Sequence, residues 1–159
     1  MIFKRGGGAS LSGPNDPRML QLAMNAAGIG VFLYDITGDQ LSWDARTREL
    51  FGAPDHDSVQ PADIMIQLTH EDDRAWVARA ASDALDPKGT GTYTAEHRTV
   101  MQDGSMRWVA VNGRTDFETV GGKRRAVMTC GVVRDITEER AIMDELMVAQ
   151  TNLATALEA

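Results

Sequence analysis

The side chains with which this chain could hold a metal or break a bond are few and scattered. His56, His70 and His97 lie far apart, and the single cysteine, Cys130, has no companion at metal-ligand spacing, so no metal site is expected. Cys130 falls in the apolar run 127–133, where a buried and inert thiol is expected; nucleophilic use would need a base brought to it by the fold. Asp72 and Asp73 could work as a general acid and base. Standing directly ahead of a helical segment, they are explained more simply as its negative first turn. Gly28-Ile29-Gly30 precedes a strand-like run instead of following one, so it lacks the setting of a dinucleotide-binding loop. No catalytic residue is expected in these 159 residues.

Composition narrows the partners. With 16 Lys and Arg against 23 Asp and Glu the formal charge is -7, which argues against nucleic acid and against an anionic membrane as partner. One cysteine rules out an internal disulfide and fits a reducing cytoplasm. No apolar run approaches the roughly 20 residues needed to span a bilayer. The basic start, 1–5, runs into Gly6-Gly7-Gly8 where a secretion signal would carry its apolar core, so a cytoplasmic address is expected. The 43% hydrophobic and 25% charged content is that of a globular domain. Nine methionines suit an adaptable interior, with gap-filling in an ordinary core the simpler role.

The elements that must position these residues follow from periodicity and turn chemistry. A flexible lead is expected at 1–16, then a helix from Pro17 capped by Asp16, with Met19, Leu20, Ala23, Met24 and Ala27 on one side. Residues 30–36 and 40–43 read as two strands joined at Thr37-Gly38-Asp39. Asp44 is expected to cap a short helix to Phe51, ended by Gly52 and Pro54, and Pro61 to open another to about Leu68. A longer helix is expected over 74–85, broken by Pro87 and Gly89. Alternating runs at 92–101, 106–117 and 125–134 predict three strands, joined at Asp103-Gly104 and at Gly121-Gly122. Thr137 is expected to cap a final helix with Glu138 and Glu139 in its first turn. Two strands, short helices, then three strands predict an α+β fold with one antiparallel sheet and helices gathered on one face.

In that order the residues resemble a known family. Gly30-Val31-Phe32-Leu33-Tyr34-Asp35, Ser42-Trp43-Asp44 and Leu50-Phe51-Gly52 are similar to the first strands and first helix of PAS sensor domains. His70-Glu71-Asp72-Asp73-Arg74 is similar to that family's His-Pro-Asp-Asp-Arg helix start. Glu96-His97-Arg98, Asp103-Gly104-Ser105, Arg107-Trp108-Val109 and the run from Gly131 to Thr137 complete the set. The resemblance covers about 20–137 and is to the PAS domains that precede bacterial histidine kinases. It implies a PAS domain at 17–137, a five-stranded antiparallel sheet around a small cavity, a homodimer, and a signalling helix at 138–159 leading to an effector domain of the same chain. Glu71 in place of the family's Pro is expected to loosen the start of the long helix.

The same resemblance frames the cofactor question. Flavin-binding members carry a cysteine in an Asn-Cys-Arg-Phe-type helix motif that is missing here, and haem-binding members place a histidine inside the long helix, whose body here has none. Haem and flavin are both disfavoured, His97 is a remote candidate ligand, and a small apolar molecule or no ligand is expected. Candidates to line the cavity are Met65, Leu68, Trp76, Val77, Val109, Val111 and Cys130, all of which ordinary core packing would also explain. The resemblance further implies that Asp135, Ile136 and Thr137 couple strand movement to the helix that follows. There Met143, Leu146, Gln150, Leu153 and Leu157 form one apolar register, and Ile142, Leu146, Ala149, Leu153 and Ala156 a competing one. The expected function is sensory input for a two-component histidine kinase. The alternatives are a ligand-free protein–protein interaction module and a sensor for a cyclic-dinucleotide enzyme.

Overall fold

A computed structural model describes residues 13–53 and 59–158. Most of the lead expected at 1–16, together with Pro54 and His56, lies outside the described residues. Helix α1 (Pro17–Ala26) starts where the sequence predicts, with the Asp16 carboxylate accepting from the Arg18 backbone N–H at 2.9 Å. β1 (Gly30–Asp35) and β2 (Gln40–Trp43) form a hairpin pairing Phe32 with Trp43 and Asp35 with Gln40. Asp35 accepts from the Thr37 and Gly38 amides in the turn, while Asp39 carries the positive φ of 51°. α2 (Ala45–Phe51) is capped by Asp44, which accepts from the Thr47 amide at 2.8 Å, and is closed by Gly52 at φ 63°.

Pro61 does not open a helix. It ends a short strand, β3 (Val59–Pro61), that pairs antiparallel with β2, and α3 (Ile64–Leu68) begins only after it. β3 is an edge strand, where a residue without an N–H costs no ladder bond, so the proline signal for a helix start is overridden by pairing. α4 (Glu71–Leu85) starts three residues earlier than its apolar periodicity predicts. His70 is its cap residue, with Nδ1 accepting from the Asp72 amide at 3.2 Å, so a side chain replaces the missing proline at the helix start.

β4 (Thr92–Val100), β5 (Met106–Val120) and β6 (Lys123–Asp135) follow as an antiparallel meander, and α5 (Thr137–Glu158) leaves from its end. Val120 pairs with Lys123 across a two-residue turn, Gly121-Gly122, in which both residues have positive φ as a tight turn between twisted strands demands. The Asp103-Gly104 turn is wider: Val100 pairs with Met106, and only Gly104 has positive φ.

All strands join one antiparallel sheet in the order β3-β2-β1-β6-β5-β4, five long strands with β3 added at one edge. The fold is α+β, as expected. One face is covered by α2, α3 and α4. Leu50, Phe51 and Ala84 are buried there against Phe32, Leu41, Trp43, Tyr93, Ala95, Val109, Val111 and Val133. At Gly30 the approach of α2 is closest, since a Cβ would meet the Thr47 hydroxyl at 2.3 Å. Hydrogen, not a methyl, at that position lets Thr47 sit on β1 and donate to the Val31 carbonyl at 3.1 Å.

Candidate ligand cavity and relay junction

Between α3, α4 and the sheet lies a cavity of about 290 Å³. Its floor is Phe32 and Tyr34 of β1, Leu41 of β2, Thr129 of β6 and Tyr93 of β4, and its helical wall includes Met65, Ile66, Ala81, Ala84 and Leu85. The floor is shaped by a paired Gly113 and Gly131, over which the Phe32 ring lies; a Cβ on Gly131 would meet that ring at 2.7 Å and the Asn112 carbonyl at 2.1 Å. The wall is almost wholly apolar. Three of its five polar side chains are committed: Tyr34 donates to Asp39 at 2.9 Å, Thr129 pairs with Thr115 at 2.8 Å, and Asp63 accepts from Gln67 at 2.7 Å. Hydrogen bonding to Asp39 and burial push the Tyr34 phenol up to about 12, burial being the larger cause. Tyr93 differs. Its hydroxyl is sealed from solvent and has no partner among the described residues, and burial raises its pKa, so it is a permanent O–H donor.

Farther along the same face of β4, His97 is fully buried between Phe51, Trp76 and Thr69, its Nε2 likewise without a partner among the described residues. Desolvation lowers its pKa, so the ring is neutral at pH 7. Beside it Arg98 grips Asp73 at the start of α4 through three bonds: the backbone N–H at 2.9 Å, Nε at 3.0 Å and Nη2 at 2.7 Å. That guanidinium holds the Asp73 carboxyl well below the usual carboxylate range. Asp73 is therefore a structural tie between α4 and β4, which leaves no free acid–base pair at Asp72 and Asp73.

At the far end of the sheet the strand becomes a helix without losing its ladder. The Ile136 amide donates to the Trp108 carbonyl at 2.9 Å, and the Trp108 amide donates to the Thr137 hydroxyl at 3.0 Å, so a side chain continues the pairing where β6 ends. Thr137 thus faces the sheet instead of capping α5; Asp135 caps it, accepting from the Thr137 amide at 2.9 Å. Asp135 also meets Arg107 at 3.4 Å, and Ile136 is buried. The Trp108 ring carries two cations, Arg98 at 5.6 Å and Arg140 of α5 at 4.3 Å from its centroid, and Arg140 is further held by Glu96 at 2.5 Å. Beyond Arg140 the helix is bare. α5 has no buried residue, and Ile142, Met143, Leu146, Leu153 and Leu157 are 51–80% exposed. Met147 and Val148, which belong to neither predicted register, are exposed as well.

Of the residues expected to line the cavity, Met65 does so. Leu68 packs beside the core, and Val77, Val109 and Val111 are buried without bordering the cavity. Trp76 is 40% exposed, meeting His97 edge-on. Cys130 is not buried. It is exposed on the opposite face of the sheet, because it follows Thr129 and alternate strand residues point to opposite faces. There it borders a groove between α1 and the outer face of β1, with Leu20, Met24, Val31 and Leu33. Tyr93 and Thr129 are absent from the expected set, and Tyr93 could have been found from β4 itself: Glu96 and Arg98 mark one face as polar, leaving Tyr93, Ala95, His97 and Thr99 on the other.

A flavin that forms a photoadduct needs a thiol within reach, and cations favour its phosphate. The described lining residues include no cysteine, lysine or arginine to supply either. No group of three or more metal-ligating side chains occurs among the described residues. Nor is any described helix long and apolar enough to cross a membrane.

Comparison with known proteins adds the lineage. The family profile described as PAS fold matches residues 40–130. The chain is 26% identical over 132 residues to a blue-light-activated histidine kinase of Brucella anthropi, an alignment covering 82% of this chain and 25% of that protein. It therefore spans about a quarter of the length of that relative. Among solved structures, a sensory box histidine kinase/response regulator from Burkholderia thailandensis superposes with a TM-score of 0.70 at 22% identity, covering 86% of this chain and 98% of the other. The N-terminal domain of a diguanylate cyclase with PAS/PAC sensor from Marinobacter aquaeolei gives a TM-score of 0.57 at 14% identity, covering 70% and 98%.

Proposed function

The chain belongs to the PAS fold family, and from that membership we propose that it is the sensory and dimerising input unit of a longer signal-transduction protein, in first place a two-component histidine kinase. The observation that carries this reading is the contrast at residue 140. Before it, the junction is tied to β5 by two hydrogen bonds and a cation stacked on Trp108. After it, the helix keeps an apolar stripe that no described residue buries. A helix fixed at one end and unsatisfied along its length is suited to pass on a displacement of the sheet and to pair with a second copy of itself.

In this reading 17–137 is the sensor and 138–159 the signalling helix. Asp135, Ile136 and Thr137 form the relay, and an effector domain of the same polypeptide receives the output in the cytoplasm. The chain itself performs no chemistry; the cavity admits a small apolar molecule and the partner is a second copy of the chain, neither nucleic acid nor membrane. The likeness in fold to a cyclase-linked sensor supports a cyclic-dinucleotide enzyme as the second choice of effector.

The test uses the full-length protein. Asp135→Ala with Thr137→Ala should leave effector activity measurable but unresponsive to the stimulus, and unchanged regulation would remove the relay. Single cysteines placed along 142–157, in a Cys130→Ser background because Cys130 is exposed, should crosslink with a periodicity that differs between signalling states.

A further inference from the structure

The proposed sensor reading leaves open what enters the cavity and which way round, and on that reading rests one deeper inference. We propose that the cavity takes the tail of a single-headed amphiphile, a chain of about eight carbons inserted end first, and that an uncharged or cationic head stays at the mouth beside Asp63 and Ser82.

Depth sorts the lining residues. Phe32, Tyr93 and Thr129 are buried on the floor, whereas Asp63, Ala78 and Ser82 are exposed and mark the mouth. Hydrogen-bonding capacity follows the same order. On the floor the Thr129 hydroxyl is paired with Thr115, and the Tyr93 hydroxyl is shut off from solvent and cavity alike. Tyr34, half-buried, already donates to Asp39. No floor side chain is free to meet a polar group, and a polar group buried there without a partner costs free energy. The side chains with capacity to spare are the Ser82 hydroxyl and the Asp63 carboxylate, of which one oxygen accepts from Gln67, and both stand at the mouth. A molecule that satisfies this gradient is apolar at its inner end and polar at its outer end. Size and charge complete the description. An apolar cavity of roughly 150 Å³ holds benzene, so the 290 Å³ here admits a longer chain with room to bend. The mouth carries a carboxylate, and no Lys or Arg is among the described lining residues, so an anionic head meets repulsion that a hydroxyl or ammonium head does not.

The inference also names where a signal would start. Thr129 on the floor belongs to β6, the strand that ends at Asp135, and Ser82 at the mouth belongs to α4, which Asp73 ties to β4. A tail inserted between them bears on the relay strand and on that helix together.

The probes are n-octanol, n-octylamine, octanoate and the octane diol with a hydroxyl at each end, matched in chain length and differing in their ends. In calorimetric titrations of the wild-type chain at neutral pH, the diol should bind at least about tenfold more weakly than n-octanol, because its second hydroxyl is buried without a partner. The ammonium form of n-octylamine should bind about tenfold more tightly than octanoate. In Asp63→Asn that ratio should fall to about threefold or less, the remainder coming from the acidic balance of the whole chain. Isotope-labelled n-octanol on the wild type provides a check that needs no variant: its terminal methyl should give nuclear Overhauser contacts to the Phe32 ring, and its head methylene contacts to Ala78 and Ser82. Equal affinity of n-octanol and the diol, an ammonium-to-octanoate ratio unmoved in Asp63→Asn, contacts in the reverse sense, or failure of n-octanol to bind would each overturn the proposal. None of these outcomes touches the relay, which is read by crosslinking along α5 with no amphiphile added.

Discussion

Two rows of side chains, one on β4 and one on α5, violate opposite rules. Along β4, Tyr93, Ala95, His97 and Thr99 are all buried, and two of the four bring in a polar atom with no partner among the described residues. Along α5, seven large apolar side chains from Ile142 to Leu157 are each more than half exposed. A buried donor without an acceptor costs free energy, and so does an apolar stripe left in water. Such local conflicts concentrate where a protein interacts with something else. The two rows therefore differ in kind: β4 keeps two polar atoms unmet inside the fold, and α5 leaves apolar surface unmet outside it.

The largest test breaks the α5 half of that contrast. Leu146→Glu combined with Leu153→Glu, in positions shared by both registers, should convert a dimer to a monomer in sedimentation equilibrium. Each buried leucine is worth about 1.5–3 kcal/mol, so the dissociation constant should rise by at least about 100-fold. If the wild type sediments as a monomer, or the double variant still dimerises, α5 does not demand a chain and the contrast fails. The thermal transition of the sheet should hardly move, because no residue of α5 is buried in the single chain.

Both rows were unequally legible in the sequence. The α5 stripe could be read from spacing alone, since a helix announces its apolar side at every third or fourth residue; which register pairs cannot be, because Leu146 and Leu153 belong to both. The meander was readable from its turns, Gly121-Gly122 in particular, where adjacent residues with positive φ leave little choice. The cavity was misread for a physical reason. A strand shows its two faces with period two, so one wrong parity assigns every residue to the wrong side, as happened when Cys130 was placed inward and Thr129 overlooked. Three consecutive buried residues, Val109-Ala110-Val111, erase the alternation altogether in β5. Pro61 misled because β-pairing at a sheet edge accepts the same residue that opens helices.

A second test probes what anchors the β4 row. Asp73→Asn keeps the shape of the side chain and removes the charge that Arg98 contacts three times. The pair is partly open to solvent on the Arg98 side, with 26% of that side chain exposed, so the loss should be well short of that for a fully buried pair. About 2 kcal/mol is expected, lowering the melting temperature by about 6 °C. The folded-state pKa of Asp73 is depressed, so its contribution is complete above the ordinary value of 3.8 and fades as pH falls below it. The variant and the wild type should therefore converge in stability in acid. A gap that persists at the lowest pH would mean that shape, not charge, holds α4 to β4.

The third test separates the two orphans of β4. His97 has its pKa lowered by desolvation from 6.5, opposed by the Arg98 carbonyl 3.3 Å from Nδ1 and by the Asp73 charge on α4. The folded state binds the proton less readily than the unfolded chain. Stability is thus fully present above pH 6.5 and is lost as pH falls below that value toward the folded-state pKa, at a limiting slope of about 1.4 kcal/mol per pH unit for one proton. His97→Leu should flatten urea-denaturation stability between pH 7 and pH 5 (approximate limits set by the same linkage), whereas Tyr93→Phe should leave the slope intact. A wild-type stability that is flat over that window would show that Nε2 finds a compensating partner when protonated.

The smallest effect is the one that joins the two rows. Arg140 belongs to α5, yet its guanidinium lies 4.3 Å from the Trp108 ring and bonds Glu96, a residue of β4 on the face opposite Tyr93 and His97. Arg140→Ala should cost only about 1 kcal/mol, because an exposed cation–π contact and a surface ion pair are each worth about half of that or less. The loss should be local. Amide hydrogens in the first turn of α5 should exchange about fivefold faster, while those of β4 and β5 keep their protection, because opening the junction does not require opening the sheet. Arg140→Lys retains the charge but not the flat fork that stacks, so it should fall between alanine and wild type. Acceleration spread evenly over the sheet and α5 would make the junction an ordinary part of the core. Acceleration confined to α5 marks it as a clamp that can release without unfolding, and the two unmet demands would then be coupled through Trp108.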